Sequence, residues 1–117
     1  MDMIELAREI GRQIQKDEAY LNLKKAQEDS DNDAVLQELI GNFNLKRLAI
    51  NNETAKEDKD NEKLIELNKE LRVIYADIMR NENMTAYNNA KTEFDKKLAR
   101  VMAIIQHSAR YTQHFRM

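Results

Sequence analysis

The stretch NEKLIELNKELRVIYADIMR, residues 61–80, sets Leu64, Leu67, Leu71, Ile74 and Ile78 at alternating steps of three and four. In a strand such residues would scatter over both faces; on a helix they form one stripe. The alternation is a heptad seam, the pattern of two helices packed antiparallel or of a short coiled coil. A helix of this length is about 30 Å long, so its partner must be a helix of similar reach.

The preceding segment supplies one. From Ala34 to about Thr54, Leu36, Leu39, Ile40, Phe43 and Ile50 share a side. Between the two segments lies ETAKEDKDNEK, residues 53–63, charged and without a packing side chain. That reads as the tip connection of a long antiparallel helical hairpin, an arm rather than a ball.

Three further helical segments flank this hairpin. The first runs from about Met3 to Gln15 with Met3, Leu6, Ile10 and Ile14 on one stripe. Gly11 inside it costs up to about 1 kcal/mol relative to alanine, so tertiary contacts must support this helix. Asp17 suits the N-cap of a second segment, on which Tyr20, Leu23 and Ala26 share a face. EDSDND, residues 28–33, then brings capping side chains and negative charge to the start of the third. In the fifth, Asn81 and Asn83 punctuate the end of the fourth and Thr85 is a candidate cap. Tyr87, Phe94, Leu98, Val101 and Ile105 follow at helical steps, and Met102 and Ile104 widen the stripe enough to face two neighbours.

Composition agrees with an all-α chain. Its 117 residues contain no proline and two glycines, too few turn formers for an all-β protein. The length fits a single domain, residues 1–117. The net charge of −2 favours neither nucleic acid nor an acidic membrane. Cysteine is absent, which removes disulfides, thiolate metal sites and a cysteine nucleophile. Asp2, Glu5, Arg8, Glu9 and Arg12 interrupt any secretory apolar core, and no apolar run suits a membrane span. The expected location is the cytoplasm.

Chemical constellations are sparse. His107 and His114 stand seven residues apart near the C-terminus, whereas zinc needs three or four protein ligands. Glu62, Glu66 and Glu70 recur along the fourth segment, but the Glu-x-x-His element of carboxylate-bridged metal bundles is missing. Pairing with neighbours such as Lys63 and Lys69 on a solvated face explains them better. Ser30 and Ser108 have no evident His–Asp partners, and Gly11 and Gly41 stand alone rather than in a phosphate loop. The expectation is a protein that is not an enzyme, with no catalytic, cofactor or metal residues.

Two features remain. Residues 17–33 carry a charge of −4 and residues 91–117 one of +4. The basic last helix, with Lys97, Arg100 and Arg110, could meet RNA phosphates while Tyr111 and Phe115 stack on bases. The alternative is attraction between the acidic and basic segments. The second feature is an apolar excess: Leu45, Leu48, Ile65, Val73, Met79, Met102 and Ile104 fall off or beside their seams. Extra core within the domain accounts for some of these; self-association, as a homodimer, or a different partner accounts for the rest. The candidate interaction residues are Phe43, Ile74, Tyr87, Phe94, Leu98 and Ile105.

The acidic lead-in with LQELIGNFNLKR (residues 36–47), the long hairpin and NENMTAYNNAKTEFDKKLARVMAII (residues 81–105) together resemble the YlbF/YmcA family of small helical regulatory proteins of Gram-positive bacteria. Asn83, Tyr87, Ala90, Leu98, Val101, Ile104 and Ile105 match the family's pattern, while Met84 stands where the family tends to have proline. The resemblance implies a non-enzymatic regulator in complexes, with copies of itself or related members, that influence competence, sporulation and biofilm formation. Part of that influence runs through ribonuclease Y and messenger-RNA maturation. Some members hold iron–sulfur clusters through cysteines; this cysteine-free chain cannot do so by thiolates.

Overall fold

A computed structural model describes residues 1–110. Among them are five helices and no strand: α1 (Met3–Lys16), α2 (Glu18–Asp31), α3 (Ala34–Thr54), α4 (Asn61–Arg80) and α5 (Glu82–Ser108). The chain is all-α, as its periodicity requires.

An Asp or Asn carboxyl or amide oxygen accepts a backbone N–H at the start of every helix. Asp2 takes that of Glu5 at 2.8 Å, Asp17 that of Ala19 at 2.9 Å and Asp33 that of Leu36 at 3.0 Å. Asp60 takes that of Lys63 at 3.1 Å, and Asn81 that of Met84 at 3.0 Å. Each bond satisfies one of the donors that a helix N-terminus otherwise leaves unpaired. The cap expected at Thr85 belongs to Asn81 instead. Thr85 lies within α5 and its hydroxyl donates to the Met79 carbonyl at 3.4 Å. EDSDND is likewise mostly helical, because α2 continues to Asp31 and only Asp33 caps α3.

Internal contacts divide the chain into two units, to both of which α2 and α5 contribute. The hairpin unit is Ala26–Tyr87. Within it α3 packs on α4, pairing Phe43 with Tyr75, Lys46 with Glu70 and Glu53 with Lys63. As one number rises the other falls, so the two helices run antiparallel. The covered side is the one that the periodicity picked out: Leu36 is 0% exposed and Ile78 and Ala26 are buried. Leu39, Ile40, Phe43, Leu64, Leu67, Leu71 and Ile74 are half-buried.

Two polar clamps close the hairpin unit. At one, Asp33 accepts the side-chain amides of Asn81 at 3.1 Å and Asn83 at 2.9 Å, while the buried Ser30 hydroxyl donates to the Asn83 carbonyl at 3.2 Å. Bonds to the Leu36 N–H first, and then to both asparagines, hold the Asp33 carboxyl below its usual range. At the other, Glu53 accepts the Asp60 N–H and the Lys56 ammonium, both at 3.1 Å, with Lys63 at 3.3 Å. The Asp60 N–H, then Lys56, lowers its carboxyl to about 2 although burial opposes the shift. The run 53–63 therefore does contain a packing residue, and it is an acid.

The terminal unit comprises Met1–Lys25 and the chain from Asn88 onward. Here the α1–α2 corner and the start of α2 meet the middle of α5: Lys97 bridges Asp17, and the rings of Tyr20 on α2 and Phe94 on α5 lie 5.8 Å apart at 58°. That separation suits a tilted aromatic pair. No residue of α1 or α5 is buried.

Candidate docking surface

The terminal unit presents a groove of about 340 Å³ between α1 and α5. Leu6, Ile10 and Ile14 form one wall and Phe94, Leu98 and Val101 the other. Spacing of three or four residues along a helix places each trio on one stripe. The rim is polar: Glu9 and Gln13 stand on α1, Asp17 at its C-cap, and Lys97 on α5. Hydrogen bonding by Lys97, then by the Ala19 N–H, lowers the Asp17 carboxyl. The Gln13 amide, followed by Arg12, does the same to Glu9. Both rim acids are therefore anions at neutral pH.

Apolar surface continues beyond the groove. Met3 is 78% exposed, Ile4 55% and Leu6 51% on α1; Met102, Ile104 and Ile105 are exposed on α5. Exposed apolar area of this extent is what interaction surfaces carry. All seven residues read from the sequence as apolar excess, Leu45, Leu48, Ile65, Val73, Met79, Met102 and Ile104, are indeed exposed.

The six candidate interaction residues fall in different places. Phe94 and Leu98 face each other's neighbours in the groove, and Ile105, 42% exposed, extends their stripe. Phe43 and Ile74 belong to the hairpin unit. Phe43 lies 6.1 Å from the Tyr75 ring and beneath the Arg47 guanidinium at 6.0 Å, and Ile74 sits in the α4 seam. Tyr87 is half-buried at that unit's boundary. Sequence reasoning did not nominate Leu6, Ile10, Ile14 and Val101 as interaction residues. The stripe on α1 was visible, but nothing local told that it would remain uncovered.

The other sequence candidates resolve as follows. Lys97 is engaged by Asp17 and Lys96 by Glu93, while Arg100 lines a shallow depression with Glu18, Glu93 and Lys96. That mixed-sign surface lacks the concentrated positive charge of a nucleic-acid footprint. Tyr111, His114 and Phe115 lie outside the described residues, and His107 is exposed near the end of α5. Of the acids on α4, Glu70 pairs with Lys46 across the hairpin, and Lys63 turns to Glu53 rather than to its own helix. Among the described residues no group of three or more His, Cys, Asp or Glu is placed to hold a metal ion, and no helix is long and apolar enough to cross a membrane.

No curated protein and no solved structure matches the chain. One family model does, over residues 3–109, with the description "Control of competence regulator ComK, YlbF/YmcA". A match that spans both units, on a chain with the helices and the exposed apolar stripes described above, makes this protein a member of the YlbF/YmcA family of regulators.

Proposed function

We propose that this protein is a non-enzymatic adaptor that helps to control ComK by presenting apolar helix faces to other polypeptides. The observation that carries this reading is the exposure of Leu6, Leu45, Leu48, Ile65, Val73, Met102 and Ile104, on the outer sides of α3 and α4 and on α1 and α5, which bury no residue. Burying such side chains supplies affinity without any reacting group. The chain works as one regulatory domain in the cytoplasm, as a homodimer or with related family members, and the complex modulates messenger-RNA processing by ribonuclease Y. Family membership supports the regulatory part of this reading and the uncovered stripes support the docking part.

The test is a ComK-dependent reporter in a competent host deleted for this chain. Wild-type protein restores regulation, and Leu98→Glu, at equal cellular abundance, loses it. Full restoration by the glutamate variant would remove the docking reading.

A further inference from the structure

We infer that Arg47, Arg72 and Tyr75, on one flank of the α3–α4 hairpin, form a docking site for an acidic segment of a partner polypeptide. The two guanidiniums hold a carboxylate, and Tyr75 and Met79 cover the apolar side chain beside it. This inference rests on the docking reading above and gives that reading the chemistry of a partner.

The register of the hairpin brings the two arginines together. Lys46 meets Glu70 and Phe43 meets Tyr75 across the helices, so Arg47 and Arg72 stand at the same level. Phe43 and Arg47 are one turn apart on α3, and Arg72, Tyr75 and Met79 follow at steps of three and four on α4. Both arginines are exposed, as are Met79 and, at 53%, Tyr75.

Each arginine is anchored at one point and open elsewhere. The Arg47 guanidinium lies over the Phe43 ring, a contact that uses its face and leaves its edge N–H groups to other acceptors. Arg72 donates its Nε–H to the Asn68 carbonyl at 3.4 Å, which leaves its terminal nitrogens. Among the described residues neither has a carboxylate partner, although Lys46, Lys63 and Arg80 of the same unit do. Side chains already held in place lose less freedom when a ligand arrives.

Charge points to an acidic occupant. Residues 39–52 contain no Asp or Glu. On α4 the acids Glu62, Glu66, Glu70 and Asp77 recur at steps of four and seven along the other flank, where Glu70 meets Lys46. The arginine flank thus carries positive charge beside exposed aromatic and thioether surface, the side chains that interface centres favour. A carboxylate can accept from such a guanidinium fork at both oxygens. RNA would call for cations that follow a phosphate backbone; here two stand at one level, with a row of acids on the far flank.

The test is a random peptide library displayed on phage and panned on the full chain. Enriched peptides should place Asp or Glu beside Leu, Phe or Trp. Synthetic copies should bind in fluorescence anisotropy with an affinity that falls as salt rises. Arg47→Gln and Arg72→Gln should each weaken binding on the order of tenfold, as truncating an interface hot spot does. Arg47→Glu combined with Arg72→Glu should turn the preference towards basic peptides, and Leu98→Glu in the groove should bind as wild type. No enrichment, enrichment without acids, or acidic peptides that ignore both glutamine variants overturn the inference. So does arginine-dependent binding that favours a single-stranded RNA 12-mer over the peptides, or that joins two copies of the chain instead. The reporter separates this site from the function it serves. A Leu98→Glu chain that regulates fully and still binds the peptides removes the docking function and leaves the arginine site standing. If Leu98→Glu loses regulation while the glutamine variants bind every peptide as wild type, the site falls and the docking function stands.

Discussion

The hairpin unit and the terminal unit are built from the same kind of helix and reach opposite outcomes. All five buried residues, Ala26, Ser30, Leu36, Glu53 and Ile78, belong to the hairpin unit, and among the described residues the terminal unit has none. The α3 stripe meets the α4 seam over nearly its whole length; the clamp at Asp33 ties together residues 48 and 50 apart in the chain, and the clamp at Glu53 closes the hairpin tip. In the terminal unit, α1 and α5 meet along a groove and bury no residue. The difference shows that an apolar stripe specifies a face without specifying what covers it.

Leu36 offers the largest way to break this contrast. Leu36→Ala removes the most deeply buried side chain and should cost roughly 2–5 kcal/mol in denaturant unfolding. Leu98→Ala, half-buried in the groove, should cost about 1 kcal/mol or less in dilute protein. Its cost should grow with protein concentration if a second chain normally supplies the cover. Equal, concentration-independent losses would mean that the units differ less than their burial suggests.

Acid comes next in size. Glu53 ionises at about 2 in the folded protein against 4.5 ordinarily. Because the folded value is the lower one, its stabilisation is complete above about pH 4.5 and shrinks as pH falls towards 2. Asp33 is shifted in the same direction by the Leu36 N–H and the two asparagines. Both clamps belong to the hairpin unit, so acid should erode its advantage. Glu53→Gln should flatten the stability curve between about pH 4.5 and 2 relative to wild type. An unchanged acid limb would show that this carboxylate carries little.

These clamps also mark the limit of what the sequence disclosed. Stripes, helix number and the cap at Asp17 follow from spacing and side-chain chemistry within a few residues, so they could be read directly. The bond from Asn83 to Asp33 joins positions 50 apart, and no local signal distinguishes such an asparagine from turn punctuation. Glu53 stood in a charged run that looked wholly solvated, since only the return of α4 brings Lys63 and the Asp60 N–H around it. Of the candidate interaction residues, Phe94 and Leu98 line the groove of the terminal unit, on the α5 stripe that the periodicity marked as wide. The α1 stripe was legible as a stripe, but that it stays largely uncovered depends on the packing of the whole unit and not on its spacing.

Asn81 is a smaller lever. It caps α5 through Met84 and also donates to Asp33, so Asn81→Ala should cost about 1 kcal/mol from the lost cap, with some addition from the clamp. Hydrogen exchange should quicken at the first turn of α5 and at the start of α3 together. Faster exchange at α5 alone would mean that the asparagine caps without clamping.

The finest comparison sets one glycine against the other. Gly11 on α1 and Gly41 on α3 both lie within helices, and a Cβ built at either meets nothing within 4 Å in its own chain. Helix propensity alone therefore predicts that alanine stabilises each by up to about 1 kcal/mol. Gly41→Ala should deliver that gain at any concentration. Gly11, however, lies beside the stripe of Met3, Ala7, Ile10 and Ile14, over which a helix of a second copy would pass if the proposed homodimer covers α1. Gly11→Ala should thus raise helicity in dilute protein while weakening self-association, two effects of opposite sign from one methyl group. If it strengthened both, the glycine would be no more than a poor helix former, and close helix approach across α1 would have to be abandoned.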